Sequence, residues 1–176
     1  NYILVKTYGS AVSGIDATTI TIEANIDQGI NFFQLNFQGL IIEMNLNGNI
    51  TFGEVKEENQ KKVKGRDRIF ADFNCSILGH TNWIRSAQFS PDSRIIVSGS
   101  DDKSVKIWDL VKKKNFMSFS DHLDIVRDVR FHPDGTCVAS CSDDTKMKLW
   151  DLRSKRLLQH YDAHDAAINK IGFHPS

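Results

Sequence analysis

The chain has 176 residues, with 22 Lys plus Arg against 22 Asp plus Glu, and 40% of its residues are hydrophobic. Length and composition are typical of a globular protein of one or two domains. The absence of net formal charge gives no electrostatic reason to expect nucleic acid or an acidic membrane as the main partner. No apolar run approaches the roughly 18 residues that predict a transmembrane helix.

Residues 1–33 alternate between apolar and polar side chains, which predicts two strands, the clearer over 18–26. This stretch resembles the start of the bacterial magnesium-chelatase-like (ComM-related) proteins. The resemblance implies the beginning of a small α/β domain ahead of an ATPase domain. It stops at Phe33, and the chain contains no Gly-x-x-x-x-Gly-Lys-Ser/Thr phosphate loop. Two strands that pair with a neighbouring element are therefore favoured over an ATPase fragment.

Residues 34–68 predict a hairpin followed by a charged linker. Apolar runs over 40–46 and 49–55 flank Asn47-Gly48, and both of these turn residues tolerate a positive φ. Residues 54–68 mix both signs of charge without aromatic residues, which favours a solvated helix or linker over a basic nucleic-acid patch. Residues 69–78 are expected to be the outer strand of a sheet that precedes the following repeats.

The stretch from Gly79 to Asp151 carries the same pattern twice, at an offset of 42 residues that takes His80 to His122. A third copy begins at His164. A period of about 40–45 residues, with Gly-His near the start and Trp-Asp near the end, is typical of WD40 repeats, each one blade of a β-propeller. By this resemblance, residues 79–120 and 121–162 are WD repeats and residues 163–176 a partial one. The predicted fold is all-β, an incomplete propeller of two complete blades plus part of a third.

Four side chains recur at fixed spacing and are expected to form a buried structural tetrad in each repeat. In WD40 repeats the matching Asp accepts a hydrogen bond from His, the His ring contacts Ser, and the Ser hydroxyl meets the Trp indole. Such groups are costly to bury unless each has a partner. The tetrads are His80, Ser98, Asp102 and Trp108, then His122, Ser140, Asp144 and Trp150.

The same residue types could suggest a catalytic Ser-His-Asp arrangement. That interpretation is disfavoured because the set recurs in every repeat, whereas an enzyme needs one site. We therefore predict no enzymatic activity, no catalytic residue and no cofactor.

The remaining histidines and the cysteines predict no metal site. The repeat histidines belong to different blades and have no Cys or carboxylate at ligand spacing. His132 and His174 precede prolines in turns and are expected to be solvated. Cys137 and Cys141 are expected to fill the core, and Cys75 stands alone. An odd cysteine count without a framework favours reduced thiols in a cytosolic protein.

Roughly the last hundred residues resemble one WD40 family in particular. The runs 120–122, 131–137, 157–161 and 164–169 look like the central blades of the centriolar Poc (proteome of centriole) family. The resemblance implies a protein-binding scaffold of the cytoplasm and cytoskeleton, located at centrioles and basal bodies and needed for cilium formation. Its implied partners are centriolar or microtubule-associated proteins, with no nucleic acid and no membrane. A WD40 adaptor in another pathway is the alternative.

Propellers bind partners through the loops at the ends of their strands. Arg85 and Arg127 occupy matching positions, so a paired contact with an anionic partner is one hypothesis, and ordinary solvated rim residues are the other. Because propellers close with about four to eight blades, this chain is expected either to be part of a longer protein or to self-associate. The candidate partner-binding residues are Trp83, Arg85, Asp101, Lys103, Asp124, Arg127 and Asp143.

Overall fold

The computed structural model describes residues 2–3, 8–13, 16–21, 32–35, 40–44, 47–57 and 69–174. All regular elements in those ranges are β-strands, which confirms the predicted all-β class. Within them, no helix is long and apolar enough to cross a bilayer. Residues 54–57 of the expected charged helix or linker instead belong to a strand, and residues 58–68 lie outside the described residues. In chain order the strands are β1 (Tyr2–Ile3), β2 (Tyr8–Ser13), β3 (Asp16–Thr21), β4 (Phe32–Leu35), β5 (Leu40–Met44), β6 (Ile50–Glu57), β7 (Ile69–Ile77), β8 (Ile84–Phe89), β9 (Ile95–Ser100), β10 (Val105–Asp109), β11 (Lys114–Phe119), β12 (Val126–Phe131), β13 (Cys137–Ser142), β14 (Lys146–Asp151) and β15 (Arg156–Asp162).

The first large sheet unites segments that the sequence pattern treats as separate. Its strands are antiparallel neighbours in the order β1-β7-β6-β5-β4. β5 and β6 pair across the turn at Asn47-Gly48, where Gly48 has a φ of 80°. The hairpin and the expected outer strand therefore belong to one sheet, in which β4 to β7 follow the up-and-down order of a blade.

The first 33 residues contribute a separate two-stranded sheet, β2 with β3. The clearer predicted strand, over 18–26, begins earlier, at Asp16, and its described part ends at Thr21. Residues 22–26 of that prediction lie outside the described residues. β1 instead pairs with β7 through Tyr2 and Ile3.

The two repeats form two four-stranded antiparallel sheets, β8 to β11 and β12 to β15. Both sheets shift register at equivalent places, between Ile107 and Trp108 and between Leu149 and Trp150. Most residues of the outer strand β15 are exposed, so its pairing depends on backbone hydrogen bonds rather than on buried side chains.

The core lies between successive sheets. One buried cluster joins Ile42 and Ile50 of the first sheet to Ile96 and Trp108 of the second. Another joins the second sheet to the third, where the Phe119 ring stacks on Trp150 with centroids 4.6 Å apart. Each sheet thus buries its apolar side chains against the next.

Hydrogen bonds also cross between the last two sheets. Buried Ser86 donates to Asp128 Oδ1 at 2.6 Å, and the Phe131 amide donates to Gln88 Oε1 at 2.7 Å. The partial repeat continues the pattern, because the Ile168 amide donates to the Ser142 carbonyl at 3.1 Å and Ile168 is buried. The start of the third repeat therefore packs on the sheet before it.

Gly99 lies where the sheets approach most closely. A Cβ atom there would lie 2.6 Å from Val126 Cγ1 and 2.9 Å from Val129 Cγ1, both on stiff, buried side chains. We expect Gly99→Ala to lower the free energy of unfolding by about 1–3 kcal/mol through overpacking, measured by chemical denaturation. Gly172→Ala is the matched control, because its Cβ would meet no atom within 4 Å. Equal denaturation midpoints for the two variants would contradict this packing.

Candidate functional site

The repeated polar residues of the first blade meet in a continuous buried chain. His80 Nδ1 lies 2.8 Å from Asp102 Oδ2, and His80 Nε2 lies 2.7 Å from Ser98 Oγ. The indole of Trp108 donates from Nε1 to Ser98 Oγ at 2.7 Å. Ser98 and Trp108 are fully buried, so these contacts lie away from solvent.

The second blade repeats the arrangement closely. His122 lies 2.7 Å from Asp144 Oδ2 through Nδ1 and 2.7 Å from Ser140 Oγ through Nε2. Trp150 Nε1 donates to Ser140 Oγ at 2.8 Å. Backbone amides also donate hydrogen bonds to the carboxylates in both blades. The Thr81 amide donates to Asp102, and the Leu123 amide donates to Asp144.

The network fixes the direction of every proton. An indole nitrogen can only donate and an ionised carboxylate can only accept. Ser98 Oγ therefore accepts from Trp108 and donates to His80 Nε2, which leaves Nδ1 as the protonated nitrogen that donates to Asp102. The imidazole is neutral in this assignment.

Electrostatics agrees with a neutral imidazole facing an ionised carboxylate. Burial lowers the pKa of His80 and of His122 below the usual value, although the neighbouring carboxylates act in the opposite direction. For Asp102, burial alone would raise the pKa, but hydrogen bonds from His80 and Ser104 outweigh it and hold the pKa below its usual value.

This geometry leaves the Ser-His-Asp groups without access to a substrate. Ser98 and Ser140 have no exposed surface, and each hydroxyl already serves an indole and an imidazole. Among the described residues, no group of three or more His, Cys, Asp or Glu could hold a metal ion. The arrangement can tie the inner and middle strands of each blade to the loop that enters it.

Sequence reasoning missed two buried polar residues. Ser104 donates to Asp102 Oδ1 at 2.6 Å, a contact foreshadowed only by its position two residues after an Asp. Asp128 has no exposed surface and accepts from Ser86 of the neighbouring sheet. Its place in the sequence, between Arg127 and Val129, gave no sign of a partner in another repeat.

Four of the seven candidate partner-binding residues form two ion pairs. Arg85 binds Asp101 through Nε at 2.5 Å and Nη2 at 2.6 Å, and Arg127 binds Asp143 through Nε at 2.7 Å and Nη2 at 2.6 Å. Hydrogen bonds to the aspartates raise the pKa of both guanidinium groups. The hypothesis of a paired anionic contact stays a prediction, and each Arg already has a carboxylate in its own blade.

The other candidates lie at the same ends of the strands. The Arg85 guanidinium lies 5.0 Å from the ring centroid of Trp83, which is 42% exposed. Lys103 Nζ donates to the Leu123 carbonyl of the next blade at 2.9 Å, and Asp124 accepts from the Ile125 amide.

One expectation for the remaining side chains is corrected. His132 is not simply solvated, because it lies 2.7 Å from Asp134 and its ring packs edge-on against Phe173. His174 is exposed. Cys137 and Cys141 are buried and unbridged, and burial raises the pKa of Cys141 to about 11, which makes it an inert core thiol at neutral pH.

Comparison with known proteins agrees with the repeat geometry. Residues 72–109 and 113–151 match the family model "WD domain, G-beta repeat". Each match runs from an outer strand through the next three strands, so the stretches from β7 to β10 and from β11 to β14 are similar to WD40 repeats.

This chain is also similar to short parts of several curated proteins. Over 36 residues, or 20% of this chain and 7% of the relative, it is 47% identical to the nuclear distribution protein PAC1 of Debaryomyces hansenii. Over 35 residues, 20% of this chain and 8% of the relative, it is 46% identical to nuclear distribution protein nudF 1 of Talaromyces marneffei. Over 60 residues, 34% and 15% respectively, it is 32% identical to Lissencephaly-1 homolog 1 of Paramecium tetraurelia.

Two facts limit what these relatives say. The similarity spans at most 15% of the length of the three relatives named. None of the three is a Poc protein or a magnesium-chelatase-like protein, the families suggested by the two sequence resemblances.

Removing the carboxylate of a tetrad should leave a buried hydrogen-bond donor without its acceptor. We expect Asp102→Ala to lower the free energy of unfolding by about 1–3 kcal/mol, because His80 Nδ1 loses its acceptor. The measurement is urea denaturation followed by tryptophan fluorescence. Asp165→Ala, at an exposed site, should leave the midpoint unchanged. A midpoint for Asp102→Ala equal to that of the parent chain would rule out the network as a source of stability.

The buried imidazoles predict acid sensitivity. Their folded pKa lies below the unfolded value of 6.5, so the unfolded chain binds more protons between the two values. This contribution to stability is full above pH 6.5 and is lost as the pH falls towards the folded pKa. We expect a lower melting temperature at pH 5.5 than at pH 7.5. His122→Gln should flatten that dependence, whereas exposed His160→Gln should retain it, and identical profiles would refute the assignment.

Proposed function

We propose that this chain supplies WD40 blades to a non-enzymatic scaffold that binds proteins. The observation that carries the proposal is the commitment of the repeated His, Ser and Asp groups to buried structural networks. With those groups occupied, the chemistry left at the strand ends is that of recognition. WD40 repeats as a class are suited to this role because rigid sheets hold variable loops.

The proposed contact surface, here called the upper surface, consists of Trp83, Arg85, Asp101, Lys103, Leu123, Arg127 and Asp143. Trp83 presents a large, half-exposed aromatic face, and Leu123 is 73% exposed. The Arg85 guanidinium packs against the Trp83 ring and is itself bound by Asp101. An aromatic group held in place before binding loses little conformational freedom on contact, which favours it as an anchor.

Arg85 and Asp101 are proposed to position Trp83, and Arg127 and Asp143 to pair with each other, rather than to bind an anion. Their charges cancel in pairs, and the side chains of Asp101 and Asp143 are only 11% and 15% exposed. A partner with an apolar or mixed surface therefore fits better than a strongly charged one.

For the cellular process, the names of two relatives favour nuclear distribution, and the cytoplasm and cytoskeleton are the proposed location. The resemblance of residues 120–122, 131–137, 157–161 and 164–169 to Poc proteins favours centrioles and basal bodies as the second candidate. Tagging the full-length protein in its own cells and depleting it distinguishes them. Misplaced nuclei with intact centrioles support the first, and centriolar location with loss of cilia supports the second.

Trp83→Ala should weaken protein capture by about tenfold or more without unfolding the chain. Partners would be identified by cross-linking to the intact protein and then measured as purified proteins by calorimetry. Phe116→Ala is the matched control, because Phe116 is 40% exposed but lies on outer strand β11. An equal loss of affinity in both variants, or no loss in Trp83→Ala, would remove Trp83 from the interface.

A further inference from the structure

A second surface lies at the opposite ends of the strands. The turn joining β8 to β9 contacts the turn joining β10 to β11, since the Leu110 amide donates to the Arg94 carbonyl at 3.1 Å. The next blade repeats this contact between Leu152 and Thr136. The two blades also meet there, because a Cβ on Gly135 would lie 3.6 Å from Pro91 Cδ. We call these turns, residues 90–94, 109–114, 132–136 and 151–156, the lower face.

The lower face carries a concentration of positive charge. Two equivalent turns each place three basic side chains in solvent, next to the 83% exposed Val111. Asp109 and Asp151, in these turns, accept hydrogen bonds from backbone amides of their own turn. Asp109 Oδ1 accepts from the amides of Val111 and Lys112 at 3.0 and 2.8 Å, and Asp151 caps its own turn in the same way. The exposed basic residues are Lys112, Lys113, Lys114, Arg153, Lys155 and Arg156.

Most of these cations have no ion-pair partner among the described residues. Only Lys112 has a carboxylate within 4 Å, with Nζ 3.7 Å from Asp109 Oδ2. The upper surface differs, because its two guanidinium groups are each bound by an aspartate. Positive charge is therefore compensated on one end of the blades and left available at the other.

Backbone conformation decides how these lysines can be replaced. Lys113 and Lys155 occupy equivalent positions and have φ values of 53° and 58°. This left-handed region is unfavourable for a long side chain, whereas Gly and Asn adopt it readily. Ser93, Lys103 and Thr145 share the conformation, so it marks turns throughout the blades and the proposal depends on the charge of the two lysines.

We propose that the lower face binds an acidic segment of a partner protein, an extended run of Asp and Glu lying across both basic turns. Carboxylates complement the unpaired cations, and an apolar residue within the run would cover Val111. A protein segment fits better than single-stranded nucleic acid, since the turns of this face contain no Phe, Tyr or Trp on which bases could stack. This surface is separate from the upper surface and does not rest on it.

The decisive variant is Lys113→Asn with Lys155→Asn in the full chain. Asn suits the left-handed conformation, so the melting temperature should stay the same or rise while two charges disappear. The probe is a fluorescein-labelled 12-residue peptide of Glu and Asp with one central Leu, measured by anisotropy at low salt. We expect the Kd to rise by about tenfold or more. Added salt should weaken binding to the parent chain.

Three controls separate recognition from general charge. Lys106→Gln with Lys170→Gln removes two charges from strand and repeat positions away from this face and should change the Kd by less than twofold. Lys113→Arg with Lys155→Arg should keep binding. A peptide with Gln and Asn in place of Glu and Asp should not bind.

Several results would overturn the proposal. These are failure of the acidic peptide to bind the parent chain, an equal loss in the Lys106 and Lys170 control, and a clear fall in the melting temperature of the Asn variant. Tighter binding of an oligo-dT strand or of phosphatidylserine vesicles that the peptide cannot displace would also overturn it, because the face would then serve another class of partner.

Discussion

Every large sheet of this chain depends on its neighbour to remove its apolar side chains from water. A four-stranded sheet has two faces, and here the side chains of one blade complete the interior of the next, as Phe119 does against Trp150. Contacts between sheets therefore contribute to stability as directly as pairing within them. The close approach at Gly99 follows from the same requirement.

Polar groups inside this packed interior are tolerated because each has a defined partner. Ser98 links an indole to an imidazole, and Asp102 collects the remaining donors. Such a network fixes the loop that enters each blade relative to the strands behind it. The two ends of the blades are then left with different chemistry, an aromatic residue held by Arg85 at one end and exposed lysines at the other.

The repeat pattern was enough to predict the blades of residues 79–162, because each recurring residue has one structural role that its type and spacing reveal. The first large sheet lacks the repeated His and Trp markers, so its hairpin and its outer strand over 69–78 could be predicted separately but not as parts of one sheet. The pairing of Arg85 with Asp101 was also hidden, since it joins residues 16 positions apart across a strand whose register shifts between Ile84 and Ser86. Alternation of side chains cannot indicate such a shift.

The hydrogen bond from Ser86 to Asp128 joins two residues at the same position of successive repeats. At this hydrogen bond, the two neighbouring copies contact each other through the same position of the repeat. Perfectly identical copies would set carboxylate against carboxylate, or hydroxyl against hydroxyl, at this buried junction. Divergence between adjacent repeats is thus a structural requirement here, and a newly duplicated blade would need to change at this position before it could pack well beside its parent.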